Sequence, residues 1–66
     1  MNPKFKVGDL IVLVSAMQSD AELGLILRII KAYEDYNLYN ILWLSSLEIV
    51  THETYIIDRH HQKFFK

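Results

Sequence analysis

Sixty-six residues make one domain, and a chain this short buries only about 60% of its unfolded surface. It has no cysteine, which excludes disulfide staples and thiolate chemistry. Seven basic residues against eight acidic ones lack the basic excess of a dedicated nucleic-acid binder, and the run LIVLV falls far short of the roughly 20 residues of a membrane span.

In chain order, Met1 to Lys6 lead into Gly8-Asp9 rather than into an apolar stretch with a cleavage site. The expectation is a cytoplasmic protein without a signal or membrane segment. Gly8-Asp9 reads as a turn that launches a first strand over Asp9 to Ser15, rich in Leu, Ile and Val. The polar stretch SAMQSDAE, residues 15–22, reads as a loop. Gly24 opens a second strand, GLILRII, continued by KAY. Asp and Asn in EDYN supply turn chemistry, and LYNILWL is the third strand. Ser45-Ser46 marks a tight turn into LEIVTH, where Leu47, Ile49 and Thr51 alternate with Glu48, Val50 and His52. A short fifth strand is expected at YIID, after a helical turn at HET. The whole chain, 1–66, is one β-domain ending in a basic aromatic tail, 59–66.

The middle segment has an alternative reading. Ser19 and Glu22 form a capping-box pattern, and Gly24, Arg28, Lys31 and Asp35 recur at helical spacing. A helix around residues 20–35 on a small sheet, an α+β fold, would fit. Gly24 opposes it at about 1 kcal/mol, and so do three isoleucines that prefer strands. The strand is the favoured reading and the fold mostly β.

The stretches KFKVGDLIVLV, GLILRII and YNILWL together resemble the small SH3-like barrels, including the KOW and Tudor-type modules. Val7, Gly8, Asp9 and Gly24 match their layout. The resemblance implies a five-stranded barrel used as a binding module, of a kind frequent among small phage proteins, which would place it in the host cytoplasm. The loop SAMQSDAE departs from the RNA-binding pattern, with two acids and no base.

His52, His60 and His61, with Glu53 and Asp58, are a formal zinc cluster. But adjacent His60 and His61 point to opposite sides of an extended chain. No metal and no cofactor is expected. Ser45-Ser46 lacks a nucleophile elbow, no glycine-rich phosphate cradle exists, and side chains fill a barrel this small, so no enzyme is expected.

The aromatic residues Tyr33, Tyr36, Tyr39 and Trp43 gather around the second hairpin. Such side chains either pack a twisted sheet or form a contact platform. Trp43, inside an apolar strand, suits packing; Tyr36, near a turn, suits contact. Both faces of the middle strands are apolar. A one-layer barrel needs only one, so the other is expected to be covered by a second copy or a partner protein, or by Phe5, Phe64 and Phe65 folding back.

The leading expectation is a non-enzymatic protein–protein interaction module or accessory subunit that self-associates. Its contact residues are Tyr36, Tyr39, Trp43, Phe64 and Phe65, with Arg59 and Lys63 steering charge. The alternative is a nucleic-acid-binding regulator using the basic tail and the tyrosines. A small metal-dependent enzyme is the remote third.

Overall fold

The computed structural model describes residues 3–13, 22–33 and 36–64. The fold starts at the Gly-Asp turn. Gly8 takes a φ of 96°, a left-handed conformation that side-chain-bearing residues enter only at a cost. The backbone N–H of Asp9 donates to the Lys6 carbonyl at 3.0 Å, and its carboxylate accepts the Lys6 N–H at 2.9 Å. The Gly8 N–H and the Asp9 carbonyl then join Ile26 at 2.8 and 2.9 Å. The turn thus fixes the register of the first strand pair.

Five strands follow: β1 (Leu10–Leu13), β2 (Leu23–Tyr33), β3 (Tyr36–Trp43), β4 (Glu48–Glu53) and β5 (His61–Lys63). A helix, α1 (Thr54–His60), joins the last two. All pairings are antiparallel, and the sheet order is β4-β3-β2-β1-β5. β4 and β5 are not paired with each other, so the sheet is unclosed. A flat five-stranded sheet would hold its end strands about 19 Å apart, at about 4.8 Å per step. The seven-residue helix that links them spans only about 10 Å. The sheet therefore curls strongly, in the sense of its natural twist.

The middle segment is an eleven-residue strand, as favoured. The helix alternative over residues 20–35 gives way to Ile26, Ile29 and Ile30, whose branched side chains suit the sheet. The one helix among the described residues lies later, so a small sheet carrying one helix also describes the fold. The expected fifth strand, YIID, belongs to α1 instead. A chain crossing the open end of the sheet must satisfy its own backbone groups, and a helix does so locally. Arg59 and His60 stand in its last turn, where cations favour the helix dipole. The basic tail is thus no tail as far as Phe64, because residues 59–63 are built into α1 and β5. The loop at 15–22, apart from Glu22, lies outside the described residues, as do Glu34 and Asp35 of the EDYN turn. Among the described residues no helix is long and apolar enough to cross a membrane.

A bulge settles which side chains face inward. In the β2–β3 ladder Ile26 pairs with Ile41, but Arg28 pairs with Asn40, so Leu27 is the extra residue. One added residue reverses the alternation beyond it. Gly24, Ile26 and Ile29 consequently share a face with Trp43, Ile41 and Tyr39, their partners on β3. Ile11, paired with Gly24, joins them. The core is Phe5, Ile11, Ile26, Tyr39, Ile41 and Ile57, with Ile29 and Trp43 packed against it. Gly24 is required here: a Cβ would lie 2.8 Å from both Ile41 Cγ2 and Trp43 Cζ3.

Tyr39 ties the layers together. It is fully buried, its ring 6.0 Å from that of Phe5. Its hydroxyl accepts the Phe5 N–H at 3.0 Å and donates to Asp58 Oδ1 at 2.6 Å. Asp58 Oδ2 in turn accepts the Lys4 N–H at 3.1 Å. The N-terminal segment, β3 and α1 meet at one phenol. Burial, reinforced by the Asp58 carboxylate, holds that phenol protonated far above the ordinary tyrosine range.

Tyr39→Phe strands the Phe5 N–H and one Asp58 oxygen, and should cost about 1–3 kcal/mol in urea unfolding. Gly24→Ala should cost about 1–3 kcal/mol by overpacking against Trp43, seen as a lower urea midpoint with an altered Trp43 fluorescence spectrum.

Candidate functional site

Trp43 closes one end of the curled sheet. Its ring lies over Gly24 and stands between two histidines from opposite ends of the sheet, His52 on β4 and His61 on β5. The ring centroids are 5.7 and 5.8 Å from that of Trp43, His52 nearly perpendicular and His61 tilted. The indole N–H donates to His52 Nε2 at 3.2 Å. An indole can only donate, so His52 Nε2 carries no proton and the neutral ring holds its hydrogen on Nδ1. His61 Nδ1 lies 3.2 Å from the Ile57 carbonyl, which can only accept, so there Nδ1 carries the proton. The backbone N–H of His61 donates to the same carbonyl and caps α1. Burial pushes both histidines below their ordinary range. The cluster can bind a proton, but its present arrangement is that of two neutral imidazoles braced on a tryptophan.

The expected contact residues do not form one patch. Tyr39 is 0% exposed, so its assignment to a partner surface is corrected: the phenol is a core fastener. Trp43 is half-buried, in keeping with packing. Tyr36 begins β3, and its hydroxyl donates to the Glu53 carboxylate on the neighbouring strand. Hydrogen bonds from Tyr36 and then Tyr55 hold Glu53 below the usual carboxylate range. Arg59 is exposed on α1. Lys63 on β5 lies 3.9 Å from the Asp9 carboxylate. Phe64 follows β5, 42% exposed, and Phe65 and the side chain of Tyr33 lie outside the described residues. Phe5 is buried inside the curl, so it does not cover the outer face.

That outer face carries what a scan of single residues missed. Phe64 continues the β5–β1 register, its N–H bonded to the Leu10 carbonyl at 2.8 Å. Leu10 pairs with Leu25, Leu25 with Leu42, and Leu42 with Ile49. Phe64, Leu10, Leu25, Leu42 and Ile49 therefore form one apolar row across all five strands. A second row, Val12, Leu23 and Leu44, runs beside it, Leu44 joined to Leu23 by a 2.9 Å backbone bond. On the other side a polar row, Arg28, Asn40 and Thr51, bounds the patch, with Thr51 Oγ1 donating to Asn40 Oδ1 at 2.9 Å. None of the residues in the two apolar rows is buried. The signal in the sequence was the two-sided apolar character of the middle strands; the row itself needed the register.

Lys4, Arg28 and Lys31 do not share one face. Lys4 Nζ donates to the carbonyls of Asp58 and His61, at 3.4 and 3.0 Å, beside α1. Arg28 and Lys31 lie on β2, on opposite sides by their pairing with Asn40 and Asn37. No protein-family model, no curated protein and no solved structure matches this chain.

The two histidines set a pH dependence. In the unfolded chain they take up protons near pH 6.5; folded, they resist until lower pH. Their contribution to stability is thus complete above about pH 6.5 and is lost as pH falls below it. Thermal unfolding should give a lower Tm at pH 5.5 than at pH 7.5, and His52→Gln with His61→Gln should flatten the difference.

Proposed function

We propose that this chain is a small protein-binding domain of SH3-like layout, without catalytic activity, whose convex sheet face makes the contact and first of all with a second copy of itself. The observation that carries the reading is the apolar row Phe64, Leu10, Leu25, Leu42 and Ile49. It crosses every strand and contains no charge. The layout is supported by the strand order. Among the described residues β4 and β5 are the two ends of the sheet, α1 bridges them, and pairing them would complete a five-stranded barrel. The absence of catalysis is supported by the use to which the perturbed groups are put. Tyr39 is committed to Asp58, and His52 and His61 to Trp43 and the helix end.

Size decides how strong the contact is. The two apolar rows cover roughly 300 Å², from strand spacing and rise. Patches of this size are among the largest on monomers and are often functional. They fall short of the about 800 Å² per partner of a standard stable interface. The association is therefore weak and reversible, and uncharged rows can pack face to face without an ion left unpaired. Arg28 and Lys31, on opposite sides of β2, give the nucleic-acid reading less support.

Sedimentation equilibrium should show the mass rising above the 7.8 kDa monomer as concentration goes from about 10 to about 500 µM, the regime of weak interfaces. Leu25→Lys and Leu42→Lys, each on the outer face and none in the core, should return it to the monomer mass while the fold persists by circular dichroism. A monomer at every concentration would overturn self-association.

A further inference from the structure

The two ends of the sheet are not alike. β5 has three residues and carries Lys63, two devices that blunt an edge against added strands. β4 has six residues, EIVTHE, paired with β3 in an unbroken register from Glu48 to Glu53, and among the described residues no strand lies on its other side. It holds no proline, glycine, lysine or bulge. Four successive residues, Glu48 to Thr51, are exposed, although their side chains alternate between the faces. Ile49 is 59% and Val50 37% exposed. Leu47, which leads into the strand, is 74% exposed and held at a φ of 59°. Glycine or asparagine would occupy that position more cheaply, and either would leave less apolar surface beside the edge.

The charges along the edge select what can lie on it. Glu48 and Glu53 stand at its two ends, with Ile49, Val50, Thr51 and His52 between them and no lysine or arginine; burial pushes His52 below the ordinary histidine range. Hydrogen bonds from Tyr36 and Tyr55 keep Glu53 ionised. A second copy pairing antiparallel on this edge can match only residues of like parity, because alternate residues of β4 turn their backbone groups toward β3, and it brings no lysine or arginine to either glutamate. Opposite charges placed directly across a strand pair stabilise it. The edge thus favours a strand with basic ends over its own copy.

We propose that the free edge of β4 takes up an extended segment of another protein as a sixth strand, a segment with basic residues at both ends of a β-branched centre. Backbone hydrogen bonds supply the affinity, and the two glutamates choose the partner. The added strand also lengthens the row ending at Ile49 by one residue, so the contact grows on the face already exposed. The proposal rests on the reading of the chain as a protein-binding domain.

The test uses the ¹⁵N-labelled full chain and four synthetic peptides. The first is acetyl-Lys-Val-Thr-Val-Thr-Lys-amide. The second has glutamate in place of both lysines. The third and fourth are the lysine peptide N-methylated at alternate residues, in either phase, so that one of them loses the donors facing β4. The expected result is amide shifts centred on residues 48–53. Binding should be about tenfold tighter for the lysine than for the glutamate peptide, since the charge pairs differ at both ends. One N-methylated peptide should fail to bind. Glu48→Lys combined with Glu53→Lys should reverse the preference. The proposal is overturned by the absence of β4 shifts at about 1 mM peptide, well beyond weak strand pairing. Equal binding of the first two peptides overturns it, and so does unimpaired binding of both N-methylated ones. Shifts across the β4 amides on concentrating the Leu25→Lys chain alone, whose convex face is blocked, would make the occupant a second copy and also overturn it. A mass that rises with concentration while the peptides fail would leave the convex-face reading standing and remove only this one.

Discussion

The hydroxyl of Tyr39 joins three stretches of chain that are distant in sequence. It accepts a hydrogen bond from the backbone of Phe5 and donates one to Asp58 in α1. The ring below it fills the core beside Phe5. So small a domain has little apolar surface to bury, and its helix is too short to hold itself together. What keeps α1 in place is the burial of Ile57, this carboxylate–phenol contact and the bonds from Lys4 to Asp58. Once α1 is fixed, β5 must start at His61, within reach of β1. The curl of the sheet follows from that, because the helix spans less than the width of a flat one.

The bulge at Leu27 does the corresponding work in the sheet. Without it, an unbroken alternation would set Ile26 and Ile29 on opposite faces. With it, both face the core, and Arg28 moves out to pair with Asn40. The same shift leaves Leu25 on the convex side in line with Leu10 and Leu42. One extra residue thus builds a larger inner cluster and sorts the outer face into apolar and polar rows. Gly24 completes the arrangement by leaving room for Trp43, which brings His52 and His61 to the same ring.

These devices leave two surfaces with nothing of the described chain upon them: the convex rows and the backbone edge of β4. They meet at Ile49. The rows are uncharged and tolerate their own copy, whereas the edge is flanked by glutamates and favours a basic segment. A domain with both can associate with itself through one surface and accept a different, basic segment on the other. Area keeps the first contact weak, and charge gives the second its selectivity.

Length, charge balance and the lack of cysteine followed from the sequence alone, and so did the main strands. Gly8-Asp9 was legible as a launching turn because its chemistry is local: a left-handed glycine and an aspartate that bonds three residues back. The strand character of Ile26, Ile29 and Ile30 was legible for the same reason, since branching at Cβ acts within the residue. Other features were decided by residues far apart in the chain. Tyr39 reads as a surface aromatic until Asp58 and Phe5 close over it. YIID reads as a strand, because its two isoleucines favour one, and becomes helix through the burial of Ile57 and the bond from Tyr39 to Asp58. The histidines of HETYIIDRHH look like one cluster by proximity, yet His52 and His61 meet only across Trp43, and His60 stands exposed at the helix end. The convex row is a property of register, and a single bulge changes register without changing composition. Tertiary structure alone could decide it, because the five residues that form it come from four strands and the residue that follows the fifth.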